Sequence, residues 1–310
     1  MTALLSTLAP VFGIVTVGFL VRRLGALGEG GTKRLVFFVF NAAIPVMLFR
    51  TMAGIEFPER IEWGFLFAFY GAAFLTYATG IAVAHFRFKR PVEELAIYGM
   101  GAGFSNTVML GIPILLGVFG DEAALPVFLI IAFHSITLLP VSVVLIQAGR
   151  GRGERSVSGA GRLLLDVLAN PIILGLVCGL GANFAGLRLP GPIDTVALAL
   201  ATVAIPSALT ALGASLAGYP LTGDLAPAFA IAGLKLILHP VLAWIIAVPV
   251  LGLSAPWSSV AVVMAGMPSG AMVYLFGARY DAAPNVAART VLIASLMSVV
   301  TISAWLLLMS

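Results

Sequence analysis

Charge is what this sequence has least of. Only 10% of its 310 residues are Asp, Glu, Lys or Arg, against 61% that are hydrophobic. A soluble domain of ordinary composition is about a quarter charged. Seventeen basic and 13 acidic side chains cannot clothe a water-soluble globule of this length. Disorder and nucleic-acid binding fall to the same arithmetic, because the chain is too apolar for the first and its net charge of +4 too thin for the second. Cysteine is nearly absent. Cys178 stands alone, which rules out an internal disulfide, and its apolar surroundings predict a small buried hydrophobe. No glycine-rich lysine loop of the nucleotide-binding kind is present, so ATP-driven work by this chain is unsupported, and no cofactor and no metal site are expected. What remains is a polytopic membrane protein.

Ten stretches reach the ~20 apolar residues that a membrane helix needs. They are Thr2–Val21, Leu35–Ala53, Trp63–Ala84, Leu95–Phe119, Leu125–Gln147, Val167–Phe184, Thr195–Gly218, Ala226–Val250, Trp257–Phe276 and Val286–Met309. The first has no Lys or Arg before it and Arg22 and Arg23 after it, the reverse of a cleaved signal peptide, and reads as a retained helix. One connection is long, Ala148 to Asp166, rich in glycine and arginine. Its second part pairs Arg162 with Asp166 one turn apart and predicts an interfacial helix.

The scarce charges are unevenly placed. With the N-terminus outside, the inner loops hold thirteen basic residues, among them Arg22, Arg23, Lys33, Arg34, Arg87, Lys89, Arg90, Arg150, Arg152, Arg155, Arg162, Arg279 and Arg289. The outer loops hold Arg50, Arg60 and Arg188. By the positive-inside rule both termini lie outside and the central loop is cytoplasmic, in a plasma (inner) membrane. Trp63, Trp257 and Trp305 lie near span ends and predict an aromatic belt; Gly175 and Gly179 predict a close helix contact.

Two motifs recur in order. Ala43-Ile44-Pro45 returns as Ala204-Ile205-Pro206 after 161 residues. Val108-Met109-Leu110-Gly111-Ile112-Pro113 returns as Val263-Met264-Ala265-Gly266-Met267-Pro268 after 155. A five-plus-five duplication follows: residues 1–147 as the first repeat, 148–166 as linker, 167–310 as the second. Five is odd, so the halves cross the membrane in opposite senses, a frequent plan of secondary transporters. The paired Gly-x-Pro sites predict that the fourth and ninth helices break at Pro113 and Pro268. Broken helices at mid-membrane present half-helix N-termini to an anion or bare carbonyls to a cation. Ser105, Asn106 and Thr107 before the first proline, and Ser269 and Gly270 after the second, are candidate substrate contacts. Asn106 and Ser269 are donors suited to a carboxylate, although Asn also serves as interhelical glue and Ser bonds its own helix.

These residues resemble the auxin efflux carrier family. The likeness rests on Phe19 to Gly25, on Asn41-Ala42-Ala43-Ile44-Pro45, on Ser105-Asn106-Thr107 with Gly111-Ile112-Pro113 and Phe119-Gly120, and on Pro268-Ser269-Gly270 with Ala278-Arg279-Tyr280. It runs over nearly the whole chain, and the order and spacing of the motifs carry its specificity. The resemblance implies ten spans, an inverted repeat and two crossing broken helices. It also implies a scaffold of spans 1, 2, 6 and 7, a transport bundle of spans 3–5 and 8–10, and a homodimer through the scaffold. The plant fourth-span motif reads Asn-Pro-Asn-Thr-Tyr; here Phe104 and Ser105 precede Asn106, and Val108 follows Thr107. Ser269 stands where the plant motif offers Asn, and the long plant hydrophilic domain is absent. These departures weigh against auxin itself, and the expected substrate is a weak organic anion.

No carboxylate falls near the middle of a span. The ionisable groups left inside are His134, Lys235 and His239, candidates for charge support or for coupling to a proton or sodium ion. Lys235 and His239 share a helix face. Three roles stay open for Lys235: attracting an anion, donating to carbonyls of the broken helices, or snorkelling to the cytoplasm. Asn41, one turn before Pro45, lines the pathway or glues helices. The reading is a secondary transporter moving a small organic anion across the lipid bilayer by alternating access, and no enzyme. A non-transporting sensor, a channel, and an intramembrane hydrolase using Ser269 or Ser215 are the alternatives.

Overall fold

The computed structural model describes residues 2–150, 169–187, 189–219 and 222–309, with side chains of the first helix from Leu8 onward. The expected interfacial helix and the basic residues Arg152, Arg155, Arg162 and Arg188 lie outside the described residues. Every regular element among those described is helical. In chain order they are α1 (Thr2–Arg23), α2 (Glu29–Ala53), α3 (Gly64–Arg87), α4 (Val92–Gly103), α5 (residues 107–119), α6 (Ala124–Gly149), α7 (Pro171–Phe184), α8 (Gly191–Leu216), α9 (Ala226–Val250), α10 (Trp257–Ala265), α11 (Met272–Arg279) and α12 (Pro284–Met309). Among the described residues, six helical runs are long and apolar enough to cross a membrane. One of them, Thr107–Gly149, spans 43 residues, about twice a bilayer's need. Gly120 bends it into α5 and α6 with φ of +64°, a conformation that glycine adopts freely. The chain folds back there, so that Ser105 before α5 meets His134 on α6.

The helices sort into two groups by what they touch. In the first, α1 packs along α8, and α2 packs on α7 and α8. The α2–α7 contact is close because Gly175 and Gly179 carry no Cβ; a methyl at either would run into the carbonyls of Pro45 and Phe49. This is the close contact expected of that pair. At one end the group is tied by Arg50, whose guanidinium grips both oxygens of Asp194 at 2.7 and 3.0 Å, and by Asn183 donating to the carbonyls of Ala53 and Ile55. In the second group α3 packs on α4, α9 and α10, α4 on α6, and α12 on α9, α10 and α11.

The prolines of α2, α5 and α9 do not break their helices. Each of Pro45, Pro113 and Pro240 follows a turn of π-helix, Val39–Ala43, Thr107–Gly111 and Leu234–Leu238. Widening the turn relieves the clash between the proline ring and the carbonyl one turn back, and absorbs the missing N–H. The expected break at Pro113 is thereby corrected. The fourth-span helix stops at Gly103, and the chain is non-helical over residues 104–106, with Phe104 extended. Pro113 lies further on, inside α5. The other break does fall at its proline, over residues 266–271 around Pro268.

Two further expectations are overturned. Cys178 is exposed, because α7 turns that face outward, where an apolar thiol is at ease against lipid and has no need of a protein neighbour. Of the three tryptophans only Trp63 is well exposed. Trp257 is buried against Phe65, and Trp305 donates to Leu236 O inside the bundle, so the belt is not their common role.

Candidate functional site

The two breaks meet. Ser105 and Ser269 form an isolated antiparallel bridge, in which Asn106 N–H donates to Pro268 O at 2.8 Å and Gly270 N–H to Phe104 O at 3.0 Å. Ser269 Oγ adds a third link, donating to Gly101 O at 2.6 Å. Breaking a helix frees carbonyls at one stump and amides at the other, and both are costly if left unpaired away from water. Partners are found on both sides, but the two sides face different surroundings. On the carbonyl side, the end of α4 is met by Ser269 and Gly270, and the end of α10 by Lys235, whose fully buried amine donates to Ala265 O. Lys235 also lies 3.0 Å from His239 Nδ1. Of the three roles open to Lys235, the geometry matches the second: it holds the carbonyl end of a broken helix.

The amide side faces a cavity of about 640 Å³ between the two helix groups. Its inner wall is formed by Phe104, Ser105, Asn106, Thr107, Val108 and Met109 at the start of α5, and by Gly270, Ala271 and Met272 at the start of α11. Two helix N-termini thus converge on one space, each carrying partial positive charge. Asn106 caps the first by accepting Met109 N–H on Oδ1. Its amide nitrogen, Ser105 Oγ and His134 Nδ1 are buried and have no partner. The opposite wall comes from α2, the start of α7 and the end of α8, with Thr32, Asn170 and Ser215 among the polar contributors. Arg22, Glu29 and Lys33 border the same cavity; Glu29 and Lys33 pair at 2.7 Å.

The expected residues therefore separate. Ser105, Asn106, Thr107, Gly270 and His134 line the cavity. Ser269 and Pro268 hold the bridge behind it, and Pro113 is packed within α5. Lys235 and His239 are buried away from the cavity lining, beside the α10 stump. Asn41 is exposed on α2, donates to Phe37 O, and does not border the cavity. Ser269 Oγ is committed to Gly101 O and Ser215 Oγ to Ala211 O, bonds that make poor nucleophiles of both.

Sequence reasoning missed Tyr219 and Tyr274. Their rings meet at 4.9 Å across the cavity, one at the end of α8 and one on α11, and nothing in their local sequence announces the encounter. Asn170 was missed as well, inside a span expected from Val167, although an Asn before Pro171 is the signal of a helix cap; its Oδ1 accepts Ile172 N–H.

Residues 3–306 match the family described as membrane transport protein. The chain belongs to that family. It is the auxin efflux carrier family that the sequence motifs resemble. Among its relatives is a Rhizobium meliloti (strain 1021) protein named "Putative malonate transporter", 29% identical over 300 residues, covering 96% of this chain and 93% of that one. An "Uncharacterized transporter" of Methanothermobacter thermautotrophicus is 25% identical over 302 residues, with 96% of both chains covered. A mouse "Lysosomal cholesterol signaling protein" is 24% identical over 234 residues, 70% of this chain but 26% of its own length. Family members of this kind are integral membrane transporters of small molecules, and the buried junction with its lined cavity is the feature here suited to that work.

Proposed function

We propose that this chain is a secondary carrier that moves a small organic anion across the membrane by alternating access, with the substrate held where the two broken helices meet. One observation carries the reading: at that junction the carbonyl stumps are sealed by protein donors while two amide stumps and the free Asn106 Nδ2 face a cavity. Such a site attracts negative charge and offers nothing comparable to a cation.

Ten traverses are supported by the element order, with α4–α5 and α10–α11 each counted as one broken span. Contacts between connections agree with alternation. At one end Arg150 donates to Tyr280 O, Arg289 donates to Asp224 O at 3.0 Å, and Gly149 packs on Glu93. At the other, Glu62 accepts from Ser254 and Phe57 stacks on Phe184 at 5.1 Å. The first end carries most of the basic residues and is the cytoplasmic one, so both termini lie outside and the cavity opens inward. The bridge pairs Ser105 with Ser269, an offset of 164 residues, close to the 161 between Pro45 and Pro206. This supports the inverted repeat on a register set by the breaks and not by the Gly-x-Pro motif. The group α1, α2, α7 and α8 is the scaffold, on which a homodimer would form; the other group is the part that moves. The cavity between them is then the route of access.

The assigned relative suggests malonate as the first probe. In proteoliposomes, labelled malonate is taken up by the wild type and about tenfold less by Asn106→Ala, the loss of one hydrogen bond to a charged group. Equal uptake by both proteins removes Asn106 from the site, and no uptake of any acid in a carboxylate panel removes the carrier reading.

A further inference from the structure

His134 sits on α6 with one ring nitrogen used and one unused. Ser105 N–H donates to His134 Nε2 at 3.1 Å. Only a bare ring nitrogen accepts, so the ring's single proton resides on Nδ1. That Nδ1–H is buried without a partner, in a residue 2% exposed that borders the cavity. Aromatic rings pack around the imidazole. It lies 4.2 Å from the ring of Phe104, 5.6 Å from that of Phe69 and 6.3 Å from that of Tyr70. Tyr70 OH is itself committed to Ile130 O at 2.5 Å. Two more unpartnered groups belong to the same wall, Asn106 Nδ2 and Ser105 Oγ. Asn106 has its acceptor oxygen occupied by Met109 N–H, so what it has left to offer is donors. Buried donors without partners are expensive, and three around one cavity mark the place of a missing acceptor.

We propose that the helix break fixes His134 as the Nδ1–H tautomer and that this N–H, with Asn106 Nδ2 and Ser105 Oγ, forms a donor set that selects an ionised carboxylate over its amide. The inference rests on the anion-carrier reading and extends it to the substrate's chemical class and to one further binding residue. The backbone of the break sets the tautomer, and the tautomer sets the selectivity. A carboxylate brings only acceptors and satisfies all three groups. A carboxamide of the same shape brings two N–H, at least one of which points at a donor, leaving both unpaired.

The test separates the two jobs of the ring. His134→Gln keeps an acceptor where Nε2 was, so the Ser105 bond survives, and removes the donor at Nδ1. His134→Asn keeps a donor near Nδ1 and loses the acceptor. Binding of malonate and of malonamide, its diamide, is measured on purified full-length protein. Wild type favours malonate by at least tenfold; His134→Gln folds with a similar melting temperature, binds malonate about ten- to a hundredfold more weakly, and loses most of the preference. His134→Asn keeps the preference on a less stable fold. In parallel, 15N-histidine spectra of ligand-free protein show Nδ1–H for His134, identified by the signal missing in His134→Gln, and that signal moves when malonate is added. An Nε2–H tautomer overturns the proposal. So does malonate binding that leaves the His134 signal and the preference of His134→Gln unchanged, while the carrier reading stands. Binding of no carboxylate by the wild type fails the carrier reading, and this proposal with it.

Discussion

Two buried polar clusters flank the same helix crossing, and they are built to opposite ends. Behind the junction, Lys235 donates to Ala265 O and lies 3.0 Å from His239 Nδ1, and Ser269 closes on Gly101 O, so that His239 Nε2 alone of these groups lacks a partner. In front of it, Ser105, Asn106 and His134 each keep a polar atom without a partner, beside a cavity. The rear cluster commits its one amine to stabilising structure. The front cluster contains no amine and remains open to a ligand. A group that is buried and satisfied rigidifies, whereas a group that is buried and unsatisfied is a liability unless something arrives to pair it. The contrast predicts that rear substitutions act on stability and front substitutions on binding.

The largest effect is expected at Lys235. Lys235→Met preserves volume but leaves Ala265 O without its donor in an apolar interior. The loss is about 2–3 kcal/mol, read as a lower melting temperature in detergent, with transport lost as well. A melting temperature equal to wild type would show that the Lys235 amine does not hold the crossing. Next comes Asn106→Asp, which keeps the oxygen that caps Met109 N–H and replaces the free donor by an acceptor. Stability should change little while uptake of labelled carboxylate falls by about a hundredfold, since like charge now meets the substrate. A large drop in melting temperature with binding intact would erase the distinction between the clusters. Ser269→Ala removes one bond across the bridge and costs about 1 kcal/mol, with a modest loss of uptake rate; loss of malonate affinity at constant stability would move Ser269 to the front cluster. The smallest effect is expected at the mouth. Arg22→Gln should slow uptake about two- to threefold at low ionic strength and not at high salt, because a charge at the half-exposed mouth steers an anion only within the screening length. A loss that persists at high salt would make Arg22 a direct ligand.

The sequence made some of this legible. The apolar run Ala226–Val250 is a helix with those bounds, and Gly175 and Gly179 pack where small residues at that spacing should. Hydrophobic length and small-residue spacing are local signals, and bilayer physics reads them directly. The place of the first break was not legible. Pro113 looked like the stronger breaker than Phe104-Ser105-Asn106, yet a single π turn accommodates it, as another does Pro45. A helix ends where its freed backbone groups find other partners. Those partners, Pro268 O and Gly270 N–H, lie some 160 residues away. Lys235 posed the same difficulty: its three roles differed only in which neighbour it met. Cys178 is a simpler case, since an apolar residue on a membrane helix faces protein or lipid with equal ease.

Charge scarcity and its uneven distribution by themselves determined that the chain belongs in a membrane, and the motifs determined its family. Both are one-dimensional quantities, sums or patterns along the chain, and no fold is needed to evaluate them. Only the tertiary structure decided where the helices break, which broken ends are sealed, and which face the cavity. Those outcomes depend on hydrogen bonds between residues distant in sequence, and a buried polar group acquires its role from the partner that reaches it.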